Sequence, residues 1–491
     1  MPSHRLLKVS DLSPDQLEVY GGVKTWLDRG AQTKQVVKLG GFAGSGKTAL
    51  TSVLAHEMPA PLAFCAFTGK ASSVLSRKLA ASGIPTTNKP VVVDPDTRMK
   101  PYEPRPYCGT IHSLVYRPCS ACMVEKQYPH GGPGCREGRV CTCPGEEEAN
   151  PECAKHGVEA MKPAECQGCN PPPPKATGDC QRCRNDRYLR RDTLDRDYQL
   201  IVVDEASMVS DEIKDALLSY GIPVLAVGDH GQLPPVRGQG SLMKDLDFRL
   251  EKIHRQALNN PIIALSARIR EKGDIDDSLE DGKHFTVIAR RDLDAWITKR
   301  FKPARLALDP MTPEGIMGTV LVSWTNKMRC NLNGYVRECL GFEGEPPKRG
   351  EVVICLKNAA PVYNGMRGVL IGDAQKAGDA GGRAPKLKVS VDFVEDEQTA
   401  VNILVASGQF FNEKTIDYET AQKMGVSMAQ LGQLYDFGYG LTCHKMQGSQ
   451  ADEVGMLVEP GMFRVMNQDD RTRWLYTAAT RAANHLTVIR G

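Results

Sequence analysis

Eight consecutive residues constrain this chain more than any others: Gly41-Phe42-Ala43-Gly44-Ser45-Gly46-Lys47-Thr48. They follow an apolar run, Val36-Val37-Lys38-Leu39, that reads as a buried strand, and an apolar-periodic segment from near Ala49 reads as a helix. Strand, glycine loop and helix in that order form the context of a phosphate-binding loop. Glycines let backbone N–H groups turn inward, and the following helix N-terminus favours an anion. Gly41, Gly44, Ser45 and Gly46 would cradle phosphates, Lys47 would reach the β- and γ-phosphates, and Thr48 would ligate Mg²⁺.

A second buried run, Leu200-Ile201-Val202-Val203, stops at Asp204-Glu205. Functional side chains project from the carboxyl ends of parallel strands. Asp204 is placed to hold the Mg²⁺ shell, and Glu205 to orient or deprotonate an attacking water. A glutamate there favours ATP hydrolysis over simple nucleotide binding. A third run, Val224-Leu225-Ala226-Val227, ends in Gly228-Asp229-His230-Gly231-Gln232-Leu233-Pro234-Pro235-Val236. Alone, Gly-Asp after a strand is ordinary.

Taken together these segments resemble motifs of superfamily 1 helicases. Gly228 to Val236 is similar to motif III, which makes Gln232 a γ-phosphate sensor. Leu12-Ser13-Pro14-Asp15-Gln16 resembles the N-terminal glutamine motif, implying that Gln16 reads adenine. Ala66-Phe67-Thr68-Gly69-Lys70-Ala71 resembles motif Ia, with Phe67 where the family often has proline. Gly109-Thr110-Ile111-His112-Ser113 is similar to motif Ib of the RecD/Dda branch. Ile253-His254-Arg255-Gln256 resembles motif IV, and Trp324-Thr325-Asn326-Lys327 the adjacent segment opening a second motor domain. Leu441-Thr442-Cys443-His444-Lys445-Met446-Gln447-Gly448-Ser449 resembles motif V, with Met446 replacing a small residue. Trp474-Leu475-Tyr476-Thr477-Ala478-Ala479-Thr480-Arg481-Ala482 resembles motif VI. Order and spacing fit superfamily 1B, in which Dda-type phage and RecD-type bacterial helicases are the nearest images. The resemblance implies two RecA-like domains with ATP between them, and 5′→3′ translocation on single-stranded DNA. It implies Arg255 and Arg481 as charge stabilisers of the transferring phosphoryl group, and Thr68, His112, Thr442 and His444 as strand contacts. Its partners would be single-stranded and fork duplex DNA, with a single-strand-binding protein or replication proteins beside them, for a monomeric motor in replication, repair or recombination.

A chain of 491 residues is expected to hold two to four domains. Its formal charge of +3 is too small for binding DNA by bulk basicity, so contact must be a local groove. No apolar run approaches a membrane span, and the N-terminus lacks a secretory apolar core, so the expectation is a cytosolic protein. Of 16 cysteines, six (Cys65, Cys108, Cys330, Cys339, Cys355, Cys443) are scattered and read as small core residues. The other ten lie from Cys119 to Cys183. Cys119/Cys122, Cys166/Cys169 and Cys180/Cys183 are C-x-x-C pairs. Cys141/Cys143, Cys135, Cys153 and His156 complete the set. In a reducing compartment this spacing favours structural Zn²⁺, two or three ions, over disulfides. The segment is poor in apolar residues, so metal would supply its folding energy.

The expected architecture is α/β: two RecA-like P-loop domains with parallel sheets, a zinc-binding insertion and a small β-barrel insertion. Motor domain 1A would span 1–113 and 198–248, the zinc insertion 114–197, motor domain 2A 249–348 and 434–491, and the barrel, 2B, 349–433. In the resembled family the interval after motif Ib holds the pin that splits the duplex, so the zinc insertion is either a wedge or a docking knob for a partner. Two other functions stay open: a non-unwinding DNA-dependent ATPase, and the motor subunit of a nuclease complex whose cutting resides in another chain.

Overall fold

The computed structural model describes residues 7–31, 33–58, 61–88, 105–118, 188–194, 198–235, 240–252, 260–306, 314–342, 346–358, 362–377, 384–393, 398–426 and 428–491. The chain divides into two compact units, one made of Met1–Ile111 with Asp195–Gly491 and the other of His112–Leu194. In the larger unit, α1 (Pro14–Thr25), β1 (Val36–Gly41), α2 (Lys47–Glu57), β2 (Leu62–Ala66), α3 (Gly69–Ala81) and β3 (Tyr107–Thr110) follow one another. In the smaller unit, β4 (Tyr116–Pro118) pairs antiparallel with β5 (Tyr188–Arg190). The larger unit resumes with β6 (Leu200–Asp204), β7 (Val224–Gly228) and β8 (Phe248–Leu250).

These strands form a parallel sheet in the order β3-β2-β6-β7-β1-β8. Parallel strands covered on both faces read as unbroken apolar runs, and β2 and β7 are buried along their full length. The order sets the carboxyl ends of β6, β7 and β1 side by side, which brings the three strand-end motifs into one place.

The second half of the larger unit begins with α4 (Pro261–Lys272), β9 (Phe285–Ala289), β10 (Thr319–Ser323) and α5 (Asn326–Cys339). Then come β11 (Val352–Cys355), β12 (Arg367–Leu370), β13 (Gln375–Ala377), β14 (Lys386–Phe393), β15 (Gln398–Ala406) and β16 (Tyr435–Phe437). The chain ends with β17 (Gly440–Thr442), β18 (Ala451–Val458), α6 (Gln468–Ala479) and β19 (Ala482–Arg490). Strands β17-β10-β18-β19-β9 make a second parallel sheet, which gives the chain the two parallel sheets expected of an α/β fold.

The insertion between α5 and β17 is antiparallel, in the order β13-β14-β12-β11-β16, with β15 also on β14. Strand β14 alternates half-buried and buried residues, the period of a sheet with one face on a core. A bridge between Val405 and Gln433 returns β15 to the segment that leads into β16, so the strand neighbours form a ring. Among the described residues no helix is long and apolar enough to cross a membrane.

Candidate nucleotide cleft and strand-contact residues

The loop from Phe42 to Gly46 joins β1 to α2. Gly44 and Gly46 have φ of 79° and 80°, the left-handed region that side chains with a Cβ disfavour. Gly46 caps α2 without any side-chain bond, leaving first-turn N–H groups for a ligand. The Lys47 ammonium is folded onto the loop, donating to the Gly41 carbonyl at 2.7 Å and the Phe42 carbonyl at 3.0 Å. Ser45 Oγ is buried and has no hydrogen-bond partner. A cation held only by neutral carbonyls and an orphaned buried hydroxyl both suit a triphosphate. The Gln16 amide braces this loop, donating to the Ser45 carbonyl at 3.3 Å and the Gly46 carbonyl at 3.5 Å, while its oxygen accepts the Ser13 N–H at 2.9 Å. This bracing adds to the adenine contact implied by resemblance.

Asp204 ends β6 and accepts the Glu205 N–H at 3.0 Å. Glu205 lies at φ 51°, one of three non-glycine residues with positive φ among the described residues. Strain of that kind costs on the order of 1–3 kcal/mol and collects at functional sites. Burial pushes its carboxyl above the ordinary value, and the Asp204 charge adds to that. Arg481 and Lys47 pull it back, and Asp229 raises it again. The Lys47 ammonium at the start of α2 and the Arg481 guanidinium just past α6 both act on Glu205, one from each half of the larger unit. The Arg481 guanidinium is buried and donates to the Thr477 carbonyl at 3.1 Å, the Ser449 carbonyl at 3.2 Å and Thr480 Oγ1 at 3.1 Å. Arg255 lies outside the described residues.

Gln232 sits in the loop after β7, and helix α6 grips that loop from the second half. Arg473 donates to the His230 carbonyl at 3.2 Å, and the Leu233 N–H donates to Thr477 Oγ1 at 3.0 Å. Gln447 donates to the Leu233 carbonyl at 2.9 Å. A cavity of about 580 Å³ opens between this loop and the start of α6, lined among others by Ser207, Asp229, Gln232, Asn467 and Arg473. Three groups escaped the sequence reading. The Tyr476 hydroxyl sits between Ala43 and Asp229. The Arg270 guanidinium lies 3.3 Å from the Phe42 ring centroid, a cation–π contact that ties α4 to the phosphate loop. Asp229 follows its strand as Asp204 follows β6, and that parallel was the available signal. Tyr476 lay inside the motif VI segment, five positions before Arg481. Nothing in the sequence marked Arg270.

Of the strand-contact candidates, Thr68 caps α3 by accepting the Ala71 N–H at 3.1 Å. A Cβ on Gly448 would lie 2.8 Å from the Ala71 Cβ, so motif V and motif Ia touch. A Cβ on Gly69 would lie 2.5 Å from the Tyr363 Cβ, which brings the turn before β12 onto the same segment. Thr442 caps a short helix, Cys443–Met446, without a side-chain bond. Burial pushes the His444 imidazole below its ordinary value. His112 belongs to the smaller unit, where its ring stacks on Tyr116 at 5.9 Å between centroids.

All eleven zinc-ligand candidates (Cys119, Cys122, Cys135, Cys141, Cys143, Cys153, His156, Cys166, Cys169, Cys180 and Cys183) lie outside the described residues. Among the described residues no group of three or more His, Cys, Asp or Glu could hold a metal ion. The six scattered cysteines are free, and four of them are buried, as small core residues would be.

Two protein families match the chain: an AAA domain over residues 27–238 and a UvrD-like helicase C-terminal domain over residues 437–489. No curated protein matches it. Among solved structures, two coordinating Pif1 helicases on forked double-stranded DNA align at 15% identity, covering 97% of this chain and 92% of that one, with a TM-score of 0.44. The Pif1 helicase of Candida albicans aligns at 16% identity over 97% and 94%, with a TM-score of 0.42. A Bacteroides Pif1 helicase with ADP-AlF3 and single-stranded DNA aligns at 15% over 97% and 92%, with a TM-score of 0.44.

Proposed function

We propose that the chain, whose residues 27–238 match an AAA domain and 437–489 a UvrD-like helicase C-terminal domain, is an ATP-driven superfamily 1 DNA helicase that moves 5′→3′ on single-stranded DNA and unwinds duplex ahead of it. The observation that carries the proposal is that helix α6 of the second half bonds to both loops of the first: the Ala43 N–H of the phosphate loop donates to the Tyr476 oxygen, and Arg473 donates to the His230 carbonyl after β7. A cleft completed by both domains makes hydrolysis depend on their closure, and closure is what moves one grip along a strand relative to the other.

In this mechanism Lys47 leaves the loop carbonyls for the β- and γ-phosphates, and the orphaned Ser45 hydroxyl gains a partner. Thr48 and Asp204 would hold Mg²⁺, which supplies charge neutralisation on the phosphates. Glu205 takes the proton of the attacking water as general base. Gln232 reads the γ-phosphate from motif III. Arg481, joined by Arg255, stabilises the charge of the transferring phosphoryl group. Gln16 holds the loop for adenine. Thr68, Thr442 and His444, with His112, contact the strand at phosphate and sugar.

The cysteine-rich segment is proposed to be a module held by two or three zinc ions through its thiolates and His156, and to act as the wedge that blocks the complementary strand at the fork. Replacing residues 114–197 by a short Gly/Ser linker should leave ATPase stimulation by single-stranded DNA nearly intact and sharply lower unwinding of a 5′-tailed duplex. Unwinding at the wild-type rate would make the module a partner-docking element instead. Elemental analysis of freshly prepared protein should find two or three zinc ions, and finding none would remove the metal from the account. The motor itself is tested by ATP turnover with and without single-stranded DNA. Stimulation that disappears in Lys47→Ala is expected, and a turnover indifferent to DNA would leave the chain a nucleotide hydrolase without a track.

A further inference from the structure

One hydroxyl touches both the phosphate loop and motif III. The Ala43 N–H donates to the Tyr476 oxygen at 3.1 Å, and the Tyr476 hydroxyl donates to Asp229 Oδ2 at 2.5 Å. Ala43 belongs to the phosphate loop, Asp229 is the second residue of motif III, and Tyr476 is on α6 of the second half, 433 and 247 positions away. The carboxylate is itself built into the motif III loop: Asp229 Oδ1 accepts the Gly231 N–H at 3.0 Å, and Oδ2 accepts the Gln232 amide at 3.4 Å. Gln232 Oε1 is buried and has no partner. Helix α6 runs from these contacts to Arg481 just beyond its end.

We propose that Tyr476 is a positioning residue that relays the occupancy of the phosphate loop to motif III. A phenol has one proton to give, and here it goes to Asp229 while the oxygen accepts from the loop. Nucleotide in the loop competes for loop N–H groups and for Lys47, which now lies on the loop's own carbonyls. When the Ala43 N–H turns away, the phenol loses its donor and the Asp229–Gln232 arrangement is released to respond. Without nucleotide the hydroxyl latches the loop to α6. Phe42 sits edge-on to the Tyr476 ring, with 6.4 Å between centroids, so the ring packing survives loss of the oxygen alone. The inference rests on the helicase reading and adds a residue to its coupling path.

The test is Tyr476→Phe, with steady-state ATPase measured across single-stranded DNA concentrations and thermal unfolding as a folding control. Loss of the latch should lower KM for ATP by roughly threefold to tenfold, the span of one neutral hydrogen bond. The ratio of DNA-stimulated to DNA-free kcat should fall by a similar factor. Asp229→Asn, which keeps the tyrosine and weakens its acceptor, should lower the same ratio. A variant whose KM and stimulation ratio both match wild type, whatever its melting temperature, would overturn the relay and leave the bond a packing contact. Wild-type protein lacking any stimulation would overturn the helicase reading, and the relay with it. Stimulation in the wild type with none lost in either variant overturns the relay alone.

Discussion

The nucleotide cleft and the seam between the second motor sheet and its antiparallel insertion both bury polar groups, but they complete them differently. At the seam, Arg367 is 7% exposed and every arm of its guanidinium is used. It donates to the carbonyls of Gly438 at 3.1 Å, Met317 at 2.9 Å and Thr319 at 2.9 Å. Glu351, fully buried, accepts Arg337 Nε at 2.7 Å and Nη2 at 3.2 Å, and the Lys348 N–H at 2.8 Å. In the cleft, Ser45 Oγ, Ser207 Oγ and Gln232 Oε1 are buried without partners. A buried polar atom left unpaired costs on the order of 1–3 kcal/mol, so native chains keep few of them. At the seam Arg367 and Glu351 are completed by the seam's own residues, and Arg329 Nε is the buried atom there without a partner among the described residues. The cleft keeps its groups open for something that binds.

The largest expected effect breaks the cleft side of this contrast. Glu205→Gln should keep nucleotide binding and lower stimulated turnover by roughly 10²–10⁴-fold, because the amide cannot take the water proton. Turnover near wild type in a rapid phosphate-release assay would remove Glu205 from its role. The next breaks the seam side. Glu351→Ala removes the carboxylate that Arg337 pairs with in the buried seam and should destabilise the fold by about 3–5 kcal/mol in chemical denaturation. Intact stability there would mean that the pair contributes little.

A smaller effect sharpens the contrast within the cleft. Since Ser45 Oγ has no partner, Ser45→Ala should change unfolding without nucleotide by less than about 0.5 kcal/mol. It should also shrink the thermal shift that Mg-ATP produces. A large loss without nucleotide would mean that the hydroxyl is structural. A pH-dependent effect concerns Lys445, beside the seam. Burial brings its ammonium down to about 8, the Arg329 charge adds to this, and Asp436 opposes it. Between that value and the ordinary lysine value the unfolded chain binds more protons, so stability should rise with pH across this window. Lys445→Met should remove that slope, and a slope shared by wild type and variant would assign it to other groups.

Much of the frame was legible because buried parallel strands are plain in sequence. Val36–Gly41, Leu200–Asp204 and Val224–Gly228 are apolar runs stopping at functional residues, and the structure aligns their ends. Helix α2 was announced by Gly46-Lys47-Thr48. What stayed hidden were contacts between distant segments. The bond from Ala43 to Tyr476 joins residues 433 positions apart, and no local pattern encodes it. Arg367 reads as a surface cation until three carbonyls are seen to converge on it. Gln16 sat in a motif implying adenine, and its hold on the Ser45 carbonyl became visible only with the loop folded. Resemblance marked the segments that matter, and packing decided which atoms meet within them.

The most direct measurement of the central claim is unwinding of two tailed duplexes under one set of conditions, one with a 5′ single-stranded tail and one with a 3′ tail, with Mg-ATP. A motor of this kind should separate the 5′-tailed duplex and leave the 3′-tailed one paired, and Lys47→Ala should separate neither. Separation of the 3′-tailed duplex instead would contradict the direction, and separation of neither by an actively hydrolysing wild-type protein would contradict unwinding itself.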